Sequence, residues 1–202
     1  NRLIEKSQIL KYLEHERTSE TKSEFVHGEI RAMSGARSVH NAVSSNLNAA
    51  FRNALRGRPC RPLTSDQRVH VAATGAYFYP DVTVVCGRAE YRPDPDRSLL
   101  NPSVVVEILS PSTRRVDLVD KRLIYERAGV PFYWQVDLIG RAVTVLELVG
   151  ERYTIAAVAF EGTPERLRPF DAIELDVGQW FPPPGPPEDD DVPDPAIVAE
   201  PG

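Results

Sequence analysis

The stretch Pro102-Ser-Val-Val-Val-Glu-Ile-Leu-Ser-Pro-Ser-Thr113 decides how this chain is read. Val104 to Leu109 has the composition of a strand, β-branched and aliphatic with a single polar break at Glu107. An apolar run of this kind marks a strand covered on both faces, which puts Glu107 at least partly inside the protein. A buried charge is too costly to stand alone, so the carboxylate is neutralised, paired or bound to a metal. Asp81 points to the metal. It follows Pro80 and opens a second apolar strand, Asp-Val-Thr-Val-Val-Cys86. Side by side, the two strands bring both acids to one point. Two hard oxygen ligands there suit Mg²⁺, with Mn²⁺ as its usual substitute. The carbonyl of Ile108 is a further donor next to the acid.

Working outward from that strand, the spacing predicts a helix over 116–128, closed by Gly129 and Pro131 and capped from Ser110-Pro-Ser-Thr113. Phe132–Asp137, Ala142–Val149 and Arg152–Val158 read as strands, turning at Ile139-Gly140 and Gly150-Glu151. Upstream, Arg37 to Arg56 is an amphipathic helix, because Val39, Val43, Leu47, Phe51 and Leu55 recur every fourth residue. Ser34 or Ser38 is expected to cap it and Gly57 to end it. Its opposite face carries Asn41, Ser44, Asn48 and Arg52, either a plain solvated face or one that meets phosphate. Glu24 to Met33 reads as a hairpin turning at His27-Gly28. Residues 3–16 form a short helix with Leu3, Ile9, Leu10 and Leu13 on one side. Arg61–Val71 is expected to contain a strand in which Val69 and Val71 alternate with Arg68 and His70. Residues 87–101 form a long charged loop. The element order calls for an α/β fold, a mixed central β-sheet flanked by helices.

The 202 residues suffice for one well-buried domain, and 42% hydrophobic with 26% charged content is ordinary for a globular protein. No run is long enough to span a membrane. Cys60 and Cys86 are too few for a disulfide framework and read as reduced thiols of a cytoplasmic protein. The net charge of −5 is unevenly placed. Residues 182–202 hold six acids and no Lys or Arg, leaving 23 acids against 24 basic residues in the body. A near-neutral body does not exclude a polyanionic partner. The expected division is a domain over 1–181 and an acidic, Pro-rich, disordered tail over 182–202. Such a tail could fold over a basic approach to the site and compete with DNA.

The chemistry rests on Asp81, Glu107 and Lys121. A divalent cation held by the two acids, with an ammonium arriving from the following helix, is a known solution for phosphodiester hydrolysis. Lys121 can instead be a surface partner of Asp117. Glu29 and His40 are further candidate metal or water contacts, with an edge histidine as the plain reading of His40. Asp66 reads equally as a turn acid bonded to Arg68 or as an acid standing behind the site's ligands, and Tyr133 and Trp134 read as core.

Tyr79-Pro-Asp81 followed by Glu107-Ile-Leu resembles the PD-(D/E)XK nuclease superfamily. The chain more closely resembles the bacterial Uma2 family of restriction-endonuclease-like proteins. That likeness lies in Ser23-Glu-Phe-Val-His-Gly-Glu-Ile30, Ser38-Val-His-Asn41, Ser65-Asp-Gln-Arg-Val69, Val106-Glu-Ile-Leu-Ser-Pro-Ser-Thr113, Asp117-x-x-x-Lys121-x-x-x-Tyr125 and Tyr133-Trp-Gln-Val-Asp137. It covers roughly residues 5–180. The resemblance implies a restriction-endonuclease-like fold, Mg²⁺ dependence, DNA as substrate and a product carrying a 5′-phosphate. One position departs from the superfamily: the lysine expected two residues after the Glu is Leu109, its part falling to Lys121. The departure leaves two readings, a metal-dependent endonuclease and a catalytically inactive module of the same fold that binds DNA or a protein. Cleaving both strands of a duplex also calls for two sites, hence a homodimer.

Overall fold

A computed structural model describes residues 2–33, 35–93, 97–110, 114–162 and 164–183, with the side chains of residues 2–5 left aside. The elements are α1 (Arg2–Thr18), β1 (Ser23–Val26), β2 (Glu29–Ala32), α2 (Ser38–Ala54), β3 (Cys60–Thr64), β4 (Val69–Val71), β5 (Ala76–Phe78), β6 (Val82–Cys86) and β7 (Val104–Leu109). A π-helical segment (Val116–Lys121) then runs into α3 (Arg122–Arg127). The strands β8 (Phe132–Asp137), β9 (Ala142–Val149), β10 (Arg152–Phe160), β11 (Pro164–Glu165) and β12 (Leu175–Asp176) follow, and a 3₁₀ turn at Val177–Trp180 closes the described chain.

The main sheet has the order β10-β9-β8-β7-β6-β3, with β7 and β8 parallel and every other pair antiparallel. It is therefore the mixed sheet the element order called for. Successive side chains on a strand point to opposite faces. Val104, Val106 and Ile108 of β7 pack on one face against Val43, Leu47 and Phe51 of α2. Val105 packs on the other, with Ile124 and Tyr125 of α3 and Tyr133 of β8. Glu107 shares the α3 face by the same alternation. A smaller sheet, β2-β1-β5-β4, adds Val26, Val71, Ala76 and Phe78 to that face.

Several local expectations hold. The hairpin turns at His27 and Gly28, both at positive φ (53° and 85°), as a two-residue turn requires. Tyr133 and Trp134 are fully buried.

Others are corrected. Cys60 and Cys86 are not free thiols: they are directly opposed on β3 and β6 and joined in a disulfide. Leu10 is exposed, and the buried face of α1 is formed by Tyr12 and Leu13. Val69, His70 and Val71 are all buried, as is Arg68, so no alternation exists there. The second sheet and its aromatic rings cover both sides: the Arg68 guanidinium lies over Tyr12 and Tyr77, and the His70 ring stacks on Tyr77. Asp66 pairs with Lys22, not with Arg68. Ser38 is not the cap of α2: the N-cap is Arg37, which makes no side-chain capping bond, and Ser34 lies outside the described residues. The 87–101 loop is pinned by bridges from Leu99 to Val69 and Tyr91. The predicted cap at residues 111–113 and the tail from 184 onward also fall outside the described residues.

Candidate active site

Asp81 precedes β6 by one residue, and the register Val82↔Val106 carried one step further sets it beside Glu107. Its Oδ2 accepts a hydrogen bond from the Ile108 backbone N–H at 2.7 Å and lies 3.3 Å from His40 Nε2. His40 stands on the first turn of α2, and Ser44, one turn on, donates to the Asp81 carbonyl at 3.5 Å. α2 packs on the acid strand through its apolar side, and of its polar face Ser44 borders Asp81 while Arg52 further along is exposed.

Glu107 is 3% exposed, Asp117 2% and Lys121 7%. The Lys121 ammonium lies 3.0 Å from Glu24, 3.1 Å from Glu107 and 3.3 Å from Asp117. Only the bond to Glu107 is well aligned; Glu24 Oε1 and Asp117 Oδ1 are buried beside the ammonium without a hydrogen bond. The Tyr125 hydroxyl donates to Glu107 Oε1 at 3.0 Å, and Tyr133 donates to the Asp117 carbonyl at 2.8 Å. Asp117 and Lys121 come from the π-helical segment, a local widening of the helix of a kind that clusters at functional sites.

The electrostatics follow from this crowding. Burial pushes the Glu107 carboxyl well above its ordinary range. Lys121 opposes that, but Asp117, Asp81 and Glu24 add to it. Burial alone would depress Lys121, yet Glu107, Glu24 and Asp117 hold its ammonium more firmly charged than usual. For His40, burial again works against the charged ring, but the hydrogen bond and charge of Asp81 outweigh it and raise the pKa. The Ile108 backbone raises it further.

Hard divalent ions such as Mg²⁺ use one or two carboxylates and keep several waters. The cluster offers the Asp81 and Glu107 carboxylates and the Ile108 carbonyl, together with orphaned buried acceptors and an excess of acids over cations. These residues fit such an ion. Among the described residues no group of three or more His, Cys, Asp or Glu side chains forms a metal cage.

The structure therefore brings together Asp81, Glu107, Ile108, Lys121 and His40. Glu29 does not join them: it is exposed and pairs with Arg31. Glu24 stands in its place, and Asp117 is a buried member of the cluster instead of a surface partner. Sequence reasoning passed over Glu24. Its signal was the same as that of Glu107, an acid inside an apolar strand, with Ser23, Phe25 and Val26 buried around it.

Comparison with known proteins agrees with this architecture. The family model of Uma2, described as "Putative restriction endonuclease", matches residues 9–178. The uncharacterized protein sll1609 of Synechocystis is 31% identical over 142 residues, 70% of this chain and 80% of that protein. The uncharacterized protein slr1290 of the same organism is 34% identical over 114 residues, 56% of this chain and 59% of its own. A crystal structure from Anabaena variabilis, described as a putative nuclease belonging to DUF820, superposes with a TM-score of 0.65 at 19% identity, covering 81% of this chain and 91% of the other.

Proposed function

This chain belongs to the Uma2 family, and from that premise we propose that it is a metal-dependent endonuclease hydrolysing phosphodiester bonds in DNA. One observation carries the reading: an acid at the mouth of one strand, an acid in its neighbour and a lysine from the following helix converge in one cluster rich in carboxylates. Asp81, Glu107 and the Ile108 carbonyl would hold Mg²⁺, which when bound polarises the phosphate and acidifies a water. The chain's own groups do the rest. The Ile108 N–H and His40 fix the Asp81 carboxylate. Tyr125 and Lys121 fix that of Glu107. Lys121, held charged by three carboxylates, has no free pair with which to take a proton. Its part is to orient the attacking water and offset negative charge developing on the phosphate. The product would carry a 5′-phosphate.

The test is cleavage of supercoiled, linear and branched DNA by purified protein with Mg²⁺ or Mn²⁺, against Glu107→Gln. Cleavage that needs the metal and is lost in the folded variant supports the proposal. A folded wild type that cuts no DNA form overturns it.

A second reading, an inactive module binding DNA or a protein, draws on Leu109 and on the full occupation of Lys121 by acids. Calorimetric Mn²⁺ binding that Asp81→Asn abolishes counts against it.

A further inference from the structure

The outermost strand of the main sheet, β10, pairs only with β9. It runs from Arg152 to Phe160, and from Tyr153 onward it holds no charge and no proline. Ile155, Val158 and Phe160 are 67%, 47% and 61% exposed. Edge strands are normally protected by charge, proline or a covering element, because their free N–H and C=O groups accept another strand.

The bulge in β10 sets the phase of this edge. Register with β9 runs Ile155↔Leu146, skips Ala156 and resumes at Ala157↔Val145 and Val158↔Thr144. The skipped residue brings Ile155, Val158 and Phe160 onto one face of the sheet, whereas a regular strand would put Ile155 and Val158 on opposite faces. The same skip aligns their backbones. The Tyr153 N–H points away from β9, since it donates to Glu126, and Arg122 reaches the Tyr153 carbonyl. On the alternation of an antiparallel ladder, Ile155, Val158 and Phe160 also turn their main-chain groups outward. Among the described residues nothing caps them.

We propose that β10 is a homodimer interface, on which a second copy of this chain pairs antiparallel with Ile155 opposite Val158 of its partner. The strand is self-complementary in this register. Ile155 and Val158 share a face, each has outward main-chain groups, and each of their two pairs exchanges both of its hydrogen bonds, while Phe160 falls opposite Tyr153, whose groups stay with Glu126 and Arg122. Thr154 meets Ala159 on the other face. At the ends Arg152 comes against Glu161; each already has a partner in its own chain, Glu126 and Arg141, and the two meet there without like-charge repulsion. An unrelated strand would need this spacing by chance; a two-fold axis between Ala156 and Ala157 supplies it. The proposal does not depend on the nuclease reading.

The experiment is sedimentation equilibrium of the full chain beside Ile155→Lys and Val158→Lys, both changes at exposed positions. Circular dichroism confirms that each variant folds. The wild type is expected to dimerise, and each lysine to raise the dimer dissociation constant at least ~10-fold by placing charge on the pairing edge. A second measurement is oxidation of an Ile155→Cys, Val158→Cys double variant, which should give a covalent dimer on a non-reducing gel. Thr154→Cys with Val158→Cys, on opposite faces, should not. A wild type that stays monomeric at its highest soluble concentration overturns the proposal. So does a dimer that either lysine leaves intact, or one that appears only when residues 184–202 are deleted.

Discussion

Replacing Lys121 by Met is the sharpest test of the pocket, because two descriptions of this lysine differ in the size of the effect. As a surface partner of Asp117 it would be worth about 0.2–1 kcal/mol. In the structure its ammonium is within 3.3 Å of three carboxylates and is buried with two of them. Removing one member of a buried ion cluster costs about 3–5 kcal/mol, because the remaining charges are left unpaired in a poor solvent for them. Met fills much of the same volume, so lost packing adds little. The cost is expected at the lower end, since Glu107 already resists ionisation and takes up a proton when the cation goes.

That proton uptake gives the prediction a pH signature. A carboxyl whose folded pKa is raised supports stability fully below its ordinary value, 4.5 for Glu107, and loses that support as pH rises through the folded value. Without Lys121 the elevation is larger, so the deficit of the variant stays constant just above 4.5 and widens as pH rises through the raised value that Glu107 has in the wild type. The assay is urea unfolding followed by circular dichroism, in chelator, across that pH range. Adding Glu107→Gln to Lys121→Met removes one of the stranded charges and should return about 0.5–3 kcal/mol, the coupling usual for groups in contact. A deficit below about 1 kcal/mol that is flat with pH refutes the buried cluster, and with it the role given to Lys121.

Three other outcomes are expected. Glu107→Gln alone should gain stability relative to wild type as pH rises above 4.5, about 1.4 kcal/mol per unit of the elevation it removes, and parallel unfolding curves would refute this. His40 should titrate above its ordinary 6.5 by NMR, its stabilisation present below 6.5 and lost as pH rises through the raised value; Asp81→Asn should lower its pKa, because the largest opposition to burial is removed and only Asp117 and the Ile108 backbone remain. Reduction, or Cys86→Ser, should lower unfolding stability by about 3 kcal/mol, as expected for a crosslink spanning 26 residues, and an unchanged urea midpoint would show that the crosslink does not constrain the unfolded chain.

The main sheet was legible because its strands are strongly patterned. β7 and β8 are apolar almost throughout, and the turns beside β9 are marked by glycine. Register was legible at Asp81 and Glu107 because an acid in an apolar strand has few places to go. The region from Arg61 to Phe78 was not. Arg68 and His70 look like the outward members of an alternating strand, and only a second sheet with rings from Tyr12 and Tyr77 to stack on makes them interior. Burial there is a property of the tertiary neighbours, which a local pattern does not contain. The same holds for Cys60 and Cys86. Their pairing depends on a register between strands 26 residues apart, which two isolated cysteines do not reveal.

On the proposed nuclease reading, the lysine on the helix is what would let the site outlast the change at Leu109. Residues 107 and 109 of a strand face the same side. A lysine at 109 would therefore reach toward Glu107 from within the sheet. Leu109 is instead 4% exposed on that face, and the ammonium comes down from the π-helical segment lying over it. Chemistry of this kind constrains where the charged nitrogen arrives, not which element carries it. Moving the lysine to the helix has a consequence that a strand lysine would lack, since Asp117 travels with it, one turn away on the same element, and Glu24 approaches from the second sheet. The pocket thereby gains two acids along with its cation. It remains more negative than a strand-borne arrangement of Asp, Glu and Lys, and Glu107 is the residue in which that excess is felt.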